Sequence, residues 1–412
     1  MPAESDGAMP RRILFHHRIR SKDGQYVHLS ELRAAFEDVG CEVHLVGPRV
    51  LETASFGAGG GATDGLRARL PGAVTEALEL AYALAALPRL VWAIVRLRPD
   101  FVYERFNLFF PIGALACRLF GIPYALEINS PLYEERAAHG GIALHRVARW
   151  SQRTVWRHAD LALPVTRVLA DTVERYGADP SRILVLHNGV DRAHFHPRDI
   201  GHCRRAVGLP EDALLVGFVG FVRDWHRVDR VIDALASGRL PAATTLAVVG
   251  DGPAVPALRE RAARLGVADR VVFAGLVPRD RIADWVGAFD VALQPAVTAY
   301  ASPLKLIEYL ACGKTILAPA QPNITELLEH DRNALLFDDA DDNAFSDALQ
   351  RLCGDASLRA RLAAEAGATI DRLRLTWLDN ARRIVDRMPA RGRREPPLRA
   401  ASTPPQRMSR RP

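Results

Sequence analysis

Along nearly the whole chain, short apolar runs rich in β-branched residues alternate with longer segments patterned as helices. In the first half the runs are Arg12–His16, Glu42–Val46, Phe101–Glu104, Tyr124–Ile128, Leu161–Pro164 and Ile183–Leu186. In the second half they are Leu214–Val219, Thr245–Val249, Val271–Phe273, Val291–Gln294, Thr315–Ala318 and Ala334–Phe337. Strands that are apolar throughout and separated by helices form parallel sheets covered on both faces. Two successive sets predict an α/β protein of two doubly wound, Rossmann-like domains facing across a cleft. A single barrel is the rival topology, but it accommodates neither so many strands nor a break at HNGVDRAHFHP (His187–Pro197). That stretch reads as a linker from its Asn-Gly turn and closing proline. The expected organisation is therefore a first domain over 1–186 and a second over 187–369. A final helix over 370–388 is expected to pack back on the first domain, ahead of a basic, disordered tail over 389–412.

Charge and cysteine usage narrow the function classes. After Met388 the chain carries seven arginines against Glu395 alone, which is the whole formal net charge of +6. The remainder is close to neutral, so no nucleic-acid footprint is expected. Five widely spaced cysteines with no C-x-x-C pair predict a reducing, cytoplasmic setting without a disulfide framework or zinc cluster. The opening MPAESDGAMPRR lacks the apolar core of a leader, and Leu80–Leu97 is interrupted by Pro88, Arg89 and Arg96. Arg89–Arg96 (RLVWAIVR) reads as the helix covering the sheet before Phe101, with weak peripheral contact at a membrane surface through Trp92 as the alternative.

Two glycine-rich stretches imitate phosphate loops. SFGAGGGATDG (Ser55–Gly65) fits neither nucleotide-loop pattern and reads as a plain loop. GDGPAV (Gly250–Val255) has Val255 where a dinucleotide fingerprint needs its third glycine. SPLKLIEYLACGKTILAP (Ser302–Pro319) is more telling. Ser302 suits a helix N-cap and Pro303 a first helical position. A cation in the first turn, Lys305, opposes the helix dipole unless an anion binds there. Glu308 lies one and a half turns further on among apolar residues, where a carboxylate needs a partner. That partner is either the ribose of a nucleotide or Lys305 at i, i−3.

VDRVIDAL, VVGDGP, DRVVFAGLVPRDRIADW, AFDVALQP and SPLKLIEYLACGKTILA occur in this order. Together they resemble the second half of retaining glycosyltransferases of family 4, which have the GT-B fold. The first half is similar more weakly, through RRILFHHRIR, GQYVHLSELRAAFEDVGCEVHLVGP, RPDFVYER, GIPYALEINSP and LHNGVD. The resemblance implies transfer of a sugar from a nucleotide-diphosphate sugar to a glycan or lipid-linked hydroxyl, without a metal or other cofactor. It implies donor contacts at Gly220, Arg223, His226, Gly250, Gly252, Val277, Ser302, Pro303, Leu304, Lys305 and Glu308. Glu308 matches the family's ribose-binding glutamate, while the partner glutamate eight residues earlier is replaced by Tyr300. In GFVRDWHRVDR (Gly220–Arg230), Arg223 matches one diphosphate-holding cation, and His226 or Arg227 stands for the second. Gly24 matches the glycine loop after the first strand. Asn129 stands where the family often has a histidine, beside Glu127 and Ser130. Asn129, Arg223 and Glu308 are the residues implied in catalysis, with Gly24, Glu127 and Asn129 on the acceptor side. Glu104-Arg105 is expected to be an interdomain ion pair or an acceptor contact, and His16 and His17, at the end of the first strand, read as loop histidines. A sugar-nucleotide epimerase and a catalytically silent sugar-binding protein are the alternatives.

Overall fold

The computed structural model describes residues 11–19, 24–48, 70–138, 140–341 and 343–391. The glycine-rich stretch 55–65 and most of the basic tail lie outside them.

The first domain holds strands β1 (Arg12–His16), β2 (Glu42–Val46), β3 (Phe101–Arg105), β4 (Tyr124–Ile128) and β5 (Leu161–Pro164). They pair in parallel in the order β2-β1-β3-β4-β5. Its helices are α1 (Gly24–Asp38), α2 (Gly72–Leu97), α3 (Ile112–Phe120), α4 (Leu132–Ala138), α5 (His145–His158) and α6 (Arg167–Arg175). Alternate residues of the strands feed two apolar layers. Leu14, Val102 and Leu126 pack under α2, α3 and α5, while Ile13, Phe15 and Tyr103 pack under α1. This is why the strands read as unbroken apolar runs.

The second domain holds β6 (Leu214–Val219), β7 (Thr244–Val249), β8 (Val271–Gly275), β9 (Val291–Leu293), β10 (Thr315–Pro319) and β11 (Leu335–Phe337). Their order is β11-β10-β9-β6-β7-β8, again all parallel. Its helices are α7 (Ile200–Val207), α8 (Asp229–Ala236), α9 (Val255–Arg264), α10 (Ile282–Ala288), α11 (Leu304–Ala311), α12 (Pro322–Thr325), α13 (Ala344–Gly354) and α14 (Ala356–Leu373).

Two expectations are corrected. Ile183–Leu186 is not a strand: Leu184 and Leu186 donate backbone bonds to Ala162 and Pro164, and only a single bridge to Ala162 forms. The expected helix over 370–388 is two helices. α14 stays on the second domain, packed against α11 and β10. The chain then breaks at Arg374, whose φ is 56°. Thr376 caps a new helix by accepting from the Asp379 N–H, and α15 (Trp377–Arg387) crosses to lie on α1. Trp377, Ala381, Ile384 and Met388 complete the apolar layer beneath α1.

Candidate functional site

In an open parallel sheet, a crevice forms at the carboxyl ends of the strands where the order reverses. In the second domain that point lies between β6 and β9. The loop after β6 is Gly220–His226, and the segment after β9 leads through Ser302 into α11. The two motifs singled out from the sequence are thus the two lips of one switch point. In the first domain the reversal falls between β1 and β3, where Gly24 and Arg105 sit. These ends line one cleft between the domains, of about 730 Å³.

Gly24, Asn129, Gly220, Arg223, His226, Gly250, Val277, Ser302, Pro303, Leu304, Lys305 and Glu308 all line this cleft. Gly252 and Glu127 do not. A Cβ on Gly252 would fall 2.2 Å from the Val222 carbonyl oxygen, so that glycine serves the packing of the 220–222 loop. Gly250 does both: its φ is 128°, and a Cβ would meet the Gly220 oxygen at 2.1 Å.

Glu127 is buried behind the wall. It accepts from Tyr103 Oη (2.6 Å), Arg105 Nη1 (2.9 Å) and the Asn129 amide, and His28 Nδ1 lies at 3.3 Å. Burial pushes its carboxyl up, but His28, Arg105 and these hydrogen bonds outweigh burial and hold it below the usual range. Glu127 is therefore a fixed anion that aims Arg105 and Asn129 rather than an acceptor contact. His28 Nε2 continues the network to Asn188 Oδ1 (2.7 Å). Asn188 in turn donates from its backbone to Ser302 Oγ and from its amide to the Ser302 carbonyl (2.6 Å). Ser302 is thus used in this clasp rather than as a cap, and α11 begins one residue later than expected, with Pro303 as its N-cap.

Among the described residues Glu104 makes no interdomain pair. It holds His16 Nδ1 and the Tyr124 hydroxyl, all within the first domain. His16 is the last residue of β1 and His17 the first beyond it, as expected at the end of the first strand, and both side chains are buried.

Glu308 is only 4% exposed and is not solvated in the open cleft. Its partner within the protein is not Lys305. Arg279, four residues beyond β8, donates from Nη1 to Glu308 Oε1 at 2.5 Å. The same guanidinium lies over the Phe195 ring at 4.7 Å. Arg279 lies in VPRDR, a segment that carries the family resemblance but in which the sequence marks no site arginine.

With Glu308 taken, Lys305 is left alone. Its stem is half-buried, but its ammonium has no solvent contact and no hydrogen-bond partner among the described residues. Nζ sits 3.7 Å from the Phe218 ring centroid and 3.3 Å from where a Gly220 Cβ would be. Desolvation lowers its pKa to about 7, with Glu308 opposing. Beside it, the His226 ring accepts the Arg223 N–H at Nδ1 (3.2 Å). Desolvation, Lys305 and Arg223 lower its pKa to about 3, so it is neutral. Its Nε2 then carries a proton available for donation. Arg223 itself is exposed, its guanidinium over the Phe221 and Trp225 rings at 4.8 and 4.7 Å from their centroids. No carboxylate lies within ion-pair range of it among the described residues.

Tyr300 also lines the cleft, but its polar groups are engaged. Its hydroxyl bonds Glu135 of α4, and its carbonyl accepts from Thr166 Oγ1 at 2.9 Å. Both contacts are with the first domain. Among the described residues no group of three His, Cys, Asp or Glu side chains is placed to hold a metal ion.

Comparison with known proteins agrees with this architecture. The profile "Glycosyltransferase Family 4" matches residues 22–194, and "Glycosyl transferases group 1" matches residues 213–355. A D-inositol 3-phosphate glycosyltransferase of Xylanimonas cellulosilytica is 32% identical over 300 residues, 70% of this chain and 71% of its own. The chain belongs to glycosyltransferase family 4.

The corresponding enzyme of Acidothermus cellulolyticus is 30% identical over 68% of this chain, and the match spans 64% of that relative. Among solved structures, Anabaena HepE in complex with UDP superposes with a TM-score of 0.68 at 18% identity, covering 91% and 98% of the two chains. Sucrose-phosphate synthase of Thermosynechococcus elongatus gives 0.71 at 16%, with the same coverage. These likenesses establish the fold as GT-B. In this family member, the position expected to hold a first glutamate carries Tyr300, now seen as an interdomain contact.

Proposed function

We propose that this family member is a retaining glycosyltransferase. It moves a sugar from a nucleotide-diphosphate sugar to a hydroxyl of a glycan or lipid-linked acceptor in cell-surface glycan synthesis. The observation that carries the reading is Lys305, a dry, unpartnered ammonium at the cleft wall, with Arg223 across the same loop. A buried cation without a partner is costly, and a diphosphate is the ligand that relieves it. As the bond from the sugar's anomeric carbon to the diphosphate breaks, negative charge grows on the leaving oxygen. Lys305, Arg223 and the His226 Nε2–H are placed to stabilise it. These side chains supply the positive charge, so the proposed transfer needs no metal. Asn129, held by Glu127, orients a sugar hydroxyl and is not a base. Glu308, held by Arg279, is assigned to the ribose. HepE has been crystallised with UDP and with UDP-glucose, which favours the same ligand class here. The five cysteines are free and buried, in keeping with a cytoplasmic site of action.

Thermal shift with UDP, GDP, ADP and their glucose conjugates tests the proposal, with and without EDTA. A ligand at 100 times its dissociation constant adds about 2.7 kcal/mol to stability. One nucleotide is expected to raise the melting temperature by several degrees, unaffected by EDTA. Silence from all of them would refute the reading.

A further inference from the structure

Helix α2 is unusual for its outward face. Its 26 residues run about 39 Å at 1.5 Å per residue. Ala83, Leu90, Ala93 and Ile94 point into the core. The opposite side presents Val74, Leu78, Leu84, Trp92 and Val95, with Trp92 65% exposed. A helix on a water-facing surface normally carries charge on that side. Here the only exposed charges are Arg89 and Arg96. The two acids of α2 face inward: Glu76 is buried against the Ala143 and Leu144 N–H groups, and Glu79 pairs with Arg136 at 3.1 Å.

The neighbouring helices extend the pattern. α2 packs on α3 and α3 on α5, so the three form one layer over one face of the sheet. α3 exposes Leu115, Leu119 (78%) and Phe120, with Arg118 among them. On α5, Arg146, Trp150, Arg153 and Arg157 recur at i, i+4, i+7 and i+11, which is one exposed stripe. No acidic side chain of these three helices is exposed.

We propose that this α2–α3–α5 layer docks on the surface of an anionic phospholipid bilayer. A broad apolar strip with tryptophans, flanked by arginines and free of exposed acid, is complementary to a plane of acyl chains beneath negative headgroups. Tryptophan and arginine both place an apolar body below and a polar end at such an interface. The inner residues of α2 are part of the domain core, so the helix lies on the bilayer and does not cross it. As a crossover helix it runs antiparallel to the strands, so its N-terminal end lies on the cleft edge of the sheet. Docking would hold that edge at the membrane. The inference does not depend on the identity of the donor.

Co-sedimentation of the full chain with vesicles of phosphatidylcholine, alone or mixed with phosphatidylglycerol, tests it. Binding is expected only with the anionic lipid and is expected to weaken at high salt. Arg146→Gln with Arg153→Gln and Arg157→Gln should lower the partition coefficient about a hundredfold, at roughly fivefold per arginine near an anionic surface. Trp92→Ser with Trp150→Ser should lower it by about tenfold or more, and both variants should melt as the wild type does. A chain whose seven arginines after Met388 are changed to Gln should still bind. Absence of binding at low salt overturns the proposal. So does binding lost with the tail arginines but kept in the helix variants. A wild-type dimer in sedimentation velocity that Trp92→Ser dissociates would assign this face to a second copy instead.

Discussion

Replacing Lys305 by methionine should make the empty protein more stable and its anion site useless. The lysine's pKa falls from 10.5 to about 7 on folding because desolvation disfavours its charged form. Below about pH 7 the ammonium is charged in both states, and the fold bears the full cost of keeping it dry. Between about 7 and 10.5 the unfolded chain holds a proton that the folded one lacks, so stability climbs with pH. Above 10.5 the cost is gone. A shift of about 3.5 units corresponds to roughly 4–5 kcal/mol at low pH. Water reaching the open cleft reduces this, so Lys305→Met should gain roughly 2–4 kcal/mol at neutral pH, a rise of at least about 4 °C by calorimetry. The variant should bind a nucleoside diphosphate about 10- to 150-fold more weakly, the worth of one charge-assisted bond of roughly 1.5–3 kcal/mol. Proton linkage gives an independent readout. A diphosphate returns the lysine to its charged form, so at pH 8.5 the wild type should take up close to one proton on binding UDP. Its affinity should fall by up to about tenfold per pH unit above 7. Titration calorimetry in buffers of different ionisation enthalpy measures that proton, and the methionine variant should show none. A variant that melts lower than wild type and binds UDP with the same affinity and proton uptake would refute the reasoning.

Arg279→Met should have the opposite signature. It strands the nearly inaccessible Glu308 carboxylate, so the empty protein should lose roughly 2–4 kcal/mol, and a melt unchanged within a degree would show that Glu308 has another partner. Arg227 sits in the left-handed region at φ 53°, where a side chain costs about 1 kcal/mol and glycine does not. Arg227→Gly should therefore raise denaturant stability by roughly 0.5–1 kcal/mol. A loss would mean that its exposed contact with Asp229 outweighs the backbone term.

The fold was legible because each strand is apolar on both faces, and that property survives in a single sequence. What failed were places where a local signal was read at the wrong length. Ile183–Leu186 has strand composition, yet the turn at Pro180–Arg182 delivers it to the sheet for only a bridge. The helix over 370–388 was read as continuous because both halves are amphipathic. Thr376 followed by Asp379 is the pattern of a residue capping a new helix, and its use in the structure accounts for the crossing between domains. A Thr-x-x-Asp inside a periodic run was the available clue.

The site divides along a different line. Residues that face the cleft because of their place after a strand, such as Gly220, Arg223, Lys305 and Glu308, could be found from order along the chain. Their partners could not, because they come from other strands of the sheet or from the other domain. Glu308 needed a cation, and the nearest in sequence was Lys305, one helical turn away. An i, i+3 pair on a helix is worth only a few tenths of a kcal/mol, whereas Arg279 enters from beyond the end of β8 with Nη1 at 2.5 Å and its guanidinium over the Phe195 ring. The stronger contact takes the carboxylate. The lysine is then driven against Phe218 with only the carboxylate's distant field to offset its burial. One exchange of partners therefore explains both features of the cleft: a buried glutamate paired without a ligand, and a lysine that is comfortable only with one. The same logic covers Tyr300, whose hydroxyl reaches Glu135 and whose carbonyl takes Thr166, so that a position expected to read the donor instead ties α11's entry loop to the first domain. Sequence order shows which residues reach the cleft, but only the packing of the two domains shows which of them is left with an unmet charge.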